Sequence, residues 1–394
     1  MGIELNDEQI YATYDMETWW YKGTKQLFQI TGAAGCGKTT IIRYFIERVG
    51  LDFSEVLFLA FMGKAATRMA MSGLPARTIH SAIYDYVKVI ARDEDGKIIF
   101  LPNGKPKMVS KFIKKEKLGK KIKLIIVDEG SMVEEKIAKD LESFGIPIIV
   151  LGDLNQLPPV FGEPYFLRNP DVKLTKIMRQ AEDSPIIHLA REVLDDKELK
   201  IGVYGSSAVI PRSQINEYFI RKAQIILTGT NRLRYNINNL VREQIKGIVN
   251  LDYPHMGEQI ICRKNNWNKC IDDKFFLTNG TTGFVDQVYR DSFDGKTMTI
   301  DFRPDFSKKV FRNITFDYAH LYEIPGQEPL QPSPVSIYND KIEYAYAITI
   351  HSSQGSEWDN VLYFAENIMR TKEDNKKLQY TAITRAAKSI VIVI

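Results

Sequence analysis

The sequence predicts an α/β protein with two parallel-sheet domains, the first interrupted by an inserted hairpin segment and the second by a small β-barrel. Three observations carry that expectation. Apolar runs of strand length alternate with longer helical patterns, the runs fall into two sets, and two turn-rich, β-prone stretches break the alternation. The first set, at 27–31, 55–61, 124–127 and 147–152, is almost continuously apolar, as suits strands covered on both faces. Residues 41–49 read as the helix after the first strand. The second set lies at 224–229, 345–350, 361–365 and 389–394. Residues 87–123 carry the hairpin signals Asp95-Gly96 and Asn103-Gly104, and 105–123 holds nine lysines against one glutamate. Residues 252–341 contain short strands at 259–263, 282–288 and 297–302, with turns at Asn279-Gly280 and Asp294-Gly295, the pattern of a small barrel. The breaks place the domain limits at 1–86 with 124–178, 87–123, 179–251 with 342–394, and 252–341.

Composition narrows the class. The 394 residues suffice for about two to four domains. Hydrophobic residues at 44% and charged residues at 26% are the mix of a globular protein with a real core. A net charge of +4 excludes a histone-like polybasic binder and leaves room for local basic surfaces. Cys36, Cys262 and Cys270 are spaced for neither a disulfide framework nor a metal site. The polar, acidic start excludes a secretory signal, and no apolar run approaches the ~20 residues of a membrane span. The expectation is a soluble, cytoplasmic protein with no membrane partner.

Gly32-Ala33-Ala34-Gly35-Cys36-Gly37-Lys38-Thr39 matches the phosphate-binding P-loop, between a strand and a helix where that motif works. Its glycines let backbone N–H groups approach phosphate, and the helix start favours the charge. Lys38 is expected to reach the β and γ phosphates, and Thr39 to hold Mg²⁺; Thr40 continues the turn. Downstream, an apolar strand ends in Asp128-Glu129. An acidic pair at a strand end is ordinarily a solvated loop, but the upstream P-loop gives it a task. Asp128 then holds Mg²⁺ through water, and Glu129 orients and deprotonates the attacking water. The implied cofactors are ATP and Mg²⁺.

Further blocks follow in order: LNDEQ at 5–9, GKAA at 63–66, TIH at 78–80, GDLNQLPPV at 152–160, LTKIMRQ at 174–180, TGTNR at 228–232, TIHSSQGSEW at 349–358 and YTAITRA at 380–386. Together with the P-loop and the acidic pair they resemble a superfamily 1 DNA helicase of the RecD/Dda-like branch, over nearly the whole chain. The resemblance implies two RecA-like motor domains, with the hairpin as a strand-separating pin and the barrel SH3-like. It implies that Gln9 reads adenine, that Gln156 senses the γ-phosphate, and that Arg179 and Arg385 reach the phosphates from across a cleft. Gly355 joins the nucleotide site on the same ground. Lys64, Thr78, His80, Thr230, Asn231, His351 and Ser352 are implied to contact the nucleic acid. One departure stands out: the branch usually has lysine where this chain has Ser352. Trp358 suits a stacked base less well than a core position.

The implied activity is ATP-dependent 5′→3′ movement on single-stranded DNA with unwinding of a duplex fork, by a monomer. Single-strand-binding or replication proteins are candidate partners. The compact length resembles phage-encoded members, which implies replication or recombination in a host cytoplasm. Two other readings stay open on sequence: an ATP-gated single-strand-binding clamp that does not unwind, and an RNA helicase of the same superfamily.

Overall fold

The computed structural model describes residues 5–93, 95–100, 104–158, 164–176, 184–248, 253–272, 275–289, 297–317, 321 and 340–394. The first sheet contains β1 (Leu27–Gly32), β2 (Val56–Ala60), β3 (Ala76–Thr78), β6 (Leu124–Asp128), β7 (Ile148–Gly152) and β8 (Val172–Leu174), in the order β3-β2-β6-β7-β1-β8. Every pairing in it is parallel. β2, β6 and β7 are buried at every position, because helices cover both faces. The helix Lys38–Arg48 buries Ile41, Ile42, Phe45 and Ile46 against one of them.

An unanticipated helix, Asp7–Lys22, opens the fold. Asn6 and Gln9 form a reciprocal capping box at its start, and Gly23, at φ 59°, ends it in the left-handed conformation that glycine adopts at least cost. Its Ala12, Met16 and Trp19 complete the first core.

The second sheet has the order β19-β11-β20-β21-β10-β9, from β9 (Gly202–Tyr204), β10 (Ser207–Ile210), β11 (Ile225–Thr228), β19 (Ala347–Thr349), β20 (Trp358–Phe364) and β21 (Ala386–Val393). It is parallel except for the β9–β10 hairpin. The first insertion is an antiparallel ladder of β4 (Tyr84–Ile90) and β5 (Met108–Lys114), paired from Tyr84↔Lys114 to Ile90↔Met108. It therefore begins three residues earlier than the turn signals suggested, directly after the helix Ile79–Ile83.

The second insertion is a five-stranded antiparallel sheet, β17-β16-β15-β12-β18, of β12 (Gln259–Cys262), β15 (Thr282–Tyr289), β16 (Thr297–Pro304), β17 (Phe311–Asp317) and β18 (Ile342–Tyr344). Phe302, Phe311 and Phe316 fill its own core, and a bridge between Phe316 and Asp340 brings its outer edges together. A separate hairpin, β13 (Asn266–Ile271) with β14 (Phe275–Leu277), leans from it. Arg242 and Glu258, both fully buried and bonded at 2.6 and 3.2 Å, pin the base of this insertion to the helical segment Val241–Ile245 of the second domain, with the guanidinium 3.9 Å above the Tyr344 ring. Among the described residues no helix is long and apolar enough to cross a membrane.

Candidate nucleotide site and nucleic-acid face

In the first sheet β6, β7 and β1 are adjacent, so their carboxyl ends stand within ~10 Å at ~4.8 Å per strand. Those ends are Asp128, Gly152 leading to Asp153, and Gly32 leading into the P-loop. The second sheet approaches with its opposite edge. Glu357 immediately precedes β20, and Thr384 and Arg385 immediately precede β21. The two edges enclose a cavity of about 430 Å³, lined by residues 34–40, Arg68, Asp128, Glu129, Asp153 and Gln156 from one side and by Glu357, Thr384 and Arg385 from the other.

The P-loop wraps this cavity with Gly35 and Gly37 at φ 82° and 74°, a conformation that side-chain-bearing residues rarely hold. Gly32 is tight for another reason, since a Cβ there would stand 3.0 Å from that of Leu174. Lys38 Nζ donates to the carbonyls of Gly32 (2.6 Å) and Ala33 (3.1 Å), which holds the ammonium over the loop. The sequence placed the following helix three residues late, because its first turn belongs to the loop and has no apolar signature.

Asp128 and Glu129 are buried at the strand end. Burial and the Glu129 charge push the Asp128 carboxyl above its ordinary value, against the pull of Arg68 and Lys38. Glu129 is non-glycine at φ 53°, ψ 41°, a strained backbone costing ~1–3 kcal/mol and of a kind that clusters at functional sites. Arg68 Nη2 lies 3.9 Å from Asp128 and 3.8 Å from Glu129, while its Nη1 lies 3.4 Å from Glu357 across the cleft. No sequence block singled out Arg68. The available signal was its position four residues after Lys64, on the same helix, Gly63–Met71.

Arg385 is buried, donating from Nε to Thr381 O (3.1 Å), from Nη1 to Ser356 O (3.1 Å) and from Nη2 to Thr384 Oγ1 (3.2 Å). Each terminal nitrogen has a second N–H for a phosphate oxygen. Burial lowers its pKa and the Glu129 carboxylate opposes that shift, so the group stays cationic in the cleft.

Two residues of the last block that were given no role join the domains. Tyr380 Oη accepts the Ala34 N–H of the P-loop (3.0 Å) and donates to Asp153 Oδ2 (2.7 Å). Thr381 Oγ1 accepts the Leu157 N–H (2.9 Å), and Gln354 Nε2 donates to the Leu157 carbonyl (2.8 Å). The segment containing Gln156 is thus held by the second domain on both flanks, and Gln156 itself lines the cavity.

Other expected residues stand elsewhere. Gln9 is fully buried, donating to the Cys36 carbonyl (3.0 Å) and accepting the Asn6 N–H (3.0 Å), so its amide braces the P-loop from behind and does not line the cavity. Gly355 packs against Ala65, to which an added Cβ would come within 3.1 Å. Arg179, Pro159 and Val160 lie outside the described residues. Thr39 and Asp128 present oxygens to one cavity beside the phosphate cradle, a donor set that suits Mg²⁺ shared with phosphates.

The residues expected on the nucleic acid fall at four places. Thr78 caps the helix Ile79–Ile83, and His80 lies in an aromatic hollow with Tyr84 and Phe112 at centroid distances of 5.5 and 5.6 Å. Lys64 Nζ donates to Thr282 Oγ1 (2.7 Å) and sits 4.6 Å over the ring of Trp358, which is a core residue. Burial lowers the Lys64 pKa to about 8. Thr230 caps the helix Asn231–Leu240, where the Glu366 carboxylate accepts the N–H groups of Gly229 (2.8 Å) and Thr230 (3.3 Å); Asn231 is exposed. His351 and Ser352 follow β19. Burial lowers the pKa of both His80 and His351, so at neutral pH these imidazoles are hydrogen-bonding groups without charge.

A P-loop at the carboxyl edge of one parallel sheet, completed by an arginine from the edge of a second, defines a RecA-like P-loop NTPase fold. An AAA domain model matches residues 21–162 and a UvrD-like helicase C-terminal domain model matches residues 344–393. The chain is 27% identical to the ATP-dependent RecD2 DNA helicase of Deinococcus radiodurans over 92% of its own length and 46% of that protein. It is 23% identical to the ATP-dependent DNA helicase dda of phage T4, over 90% of this chain and 79% of that one. A structure of Pif1 helicases at forked double-stranded DNA superposes with a TM-score of 0.57 at 19% identity, over 99% of this chain and 92% of that one. In sequence the chain is thus similar to helicases of the RecD and Dda kind, and its fold is that of the Pif1 structure. It spans less than half the length of the first curated relatives it matches.

Proposed function

We propose that this chain is an ATP-driven DNA helicase that moves 5′→3′ along single-stranded DNA and unwinds a duplex fork as a monomer. The observation that carries the reading is the shared cavity: Lys38, Asp128 and Glu129 on one wall, Arg385 on the other. A site completed only when two domains meet couples nucleotide state to domain closure, and closure on one domain pair is the stroke of a motor. The relatives named as ATP-dependent DNA helicases support DNA as the track.

Lys38 binds the β and γ phosphates, and the P-loop amides orient them. Thr39 and Asp128 hold Mg²⁺, which neutralises phosphate charge when bound. Glu129 takes the proton of the attacking water, Gln156 positions near the γ-phosphate, and Arg385, with Arg179, stabilises the charge that develops there. The loops at Lys64, Thr78 and His80 grip the strand for the first domain, and those at Thr230, Asn231, His351 and Ser352 grip it for the second. The β4–β5 hairpin acts as the pin and the five-stranded insertion as an SH3-like clamp.

Strand displacement tests this. With ATP, a 5′-tailed DNA duplex should be separated and a 3′-tailed one left intact. Displacement of the 3′-tailed duplex alone overturns the polarity. ATP hydrolysis stimulated by single strands with no displacement identifies a clamp, and preference for an RNA track identifies an RNA helicase.

A further inference from the structure

At the junction of the five-stranded insertion with the second motor sheet, two arginines converge on one carboxylate. Arg263 follows β12, donates from Nε to Glu343 Oε2 at 2.8 Å and from Nη1 to Ser352 Oγ at 3.0 Å. Arg234, on the helix Asn231–Leu240, donates from Nη1 to the same Glu343 oxygen at 2.6 Å. The side chains of Arg234, Arg263 and Glu343 retain 13, 17 and 19% of their exposure, so the group is mostly withdrawn from water yet open at one side. Its charges do not cancel: two guanidiniums face one carboxylate. Arg234 Nε is buried with no hydrogen-bond partner among the described residues. Burying an uncompensated cation and an unmade hydrogen bond costs stability. A bound anion offsets the surplus charge.

We propose that Arg263 and Arg234, with the Ser352 hydroxyl, form a subsite for a backbone phosphodiester of the single strand, the cation coming from the inserted domain. The proposal rests on the single-stranded-DNA reading above. The guanidinium fork suits a phosphate's paired oxygens, and a serine hydroxyl supplies a further donor. Ser352 sits at the carboxyl edge of β19 beside His351, where the chain carries no charge of its own. Arg263 places a cation within hydrogen-bond distance of that hydroxyl from another domain. Grip at this point therefore depends on how the insertion is seated against the motor.

The test is equilibrium binding of a labelled oligothymidylate to the full chain across a KCl series. Arg263→Gln should weaken binding about tenfold at low salt and flatten the dependence of log affinity on log salt by ~0.7, one single-strand phosphate contact. Adding Ser352→Lys to that variant should restore most of both, and Arg263→Lys should stay near the parent. An unchanged salt slope in Arg263→Gln overturns the subsite. So does a weakened affinity that neither lysine variant restores, which marks Arg263 as structural. A parent chain that binds ATP but no oligonucleotide at any salt overturns the DNA reading itself.

Discussion

Glu129 shows what a single residue contributes in this cleft. Its backbone is left-handed, and its carboxylate lies beside a second buried carboxylate, Asp128. Strain and crowded charge are costs that packing does not require, since glycine would relieve the first and an amide the second. Glu129→Gln keeps the shape and cannot accept a proton. ATP binding should persist while turnover falls ~10²–10⁴-fold, as measured by nucleotide titration beside steady-state hydrolysis. Lys38→Ala should behave differently, losing nucleotide affinity along with turnover, because the ammonium binds phosphate in every state. Equal loss of affinity in both variants would remove Glu129 from the role of base. At this scale the sequence was informative where a motif names the atom, as for Lys38, Asp128 and Glu129. It was silent on Arg68, Glu357 and Tyr380, whose partners lie across the cleft. It pointed Gln9 at adenine; in the structure that amide bonds to the helix cap and to the Cys36 carbonyl of the P-loop.

Among the elements, the β4–β5 hairpin is the clearest candidate for an independent part. Among the described residues it pairs only with itself, and Tyr86, Ile90, Phe100, Met108, Phe112 and Ile113 are exposed along it. It is anchored at its root, where Tyr84 Oη donates to Asp140 (2.5 Å) and Lys114 Nζ to Ser143 Oγ (2.8 Å). Replacing 91–107 with Asn-Gly between the paired Ile90 and Met108 keeps the root and the ladder and gives a two-residue turn. Unwinding should fall at least tenfold while single-strand-stimulated hydrolysis stays within about twofold. Unaltered unwinding would place the wedge elsewhere, and joint loss would make the outer hairpin part of the strand grip. Turn dipeptides made this hairpin legible, yet its start at Tyr84 was not, because no breaker separates it from the preceding helix. A different limit hid β10: breakers bound it at Gly205 and Pro211, but four residues are too few to show a period, and the sheet recruits them beside β21.

For the whole molecule, the decisive feature is the opposition of two unlike edges, carboxyl ends of one parallel sheet against strand starts of the other. Buried apolar runs announced both sheets, because fully covered parallel strands tolerate few polar residues. Their mutual placement was not written locally. It is set by contacts such as Tyr380 with Ala34 and Asp153, and Gln354 with Leu157. Those contacts make one cavity from two domains, and Arg385 reaches it from the second. The most direct measurement is single-turnover ATP hydrolysis by Arg385→Ala with saturating single-stranded DNA, with nucleotide binding and thermal melting followed on the same sample. A folded variant that still binds ATP should hydrolyse it ~10³–10⁵-fold more slowly than the parent. A folded variant hydrolysing at the parent's rate would contradict a composite site.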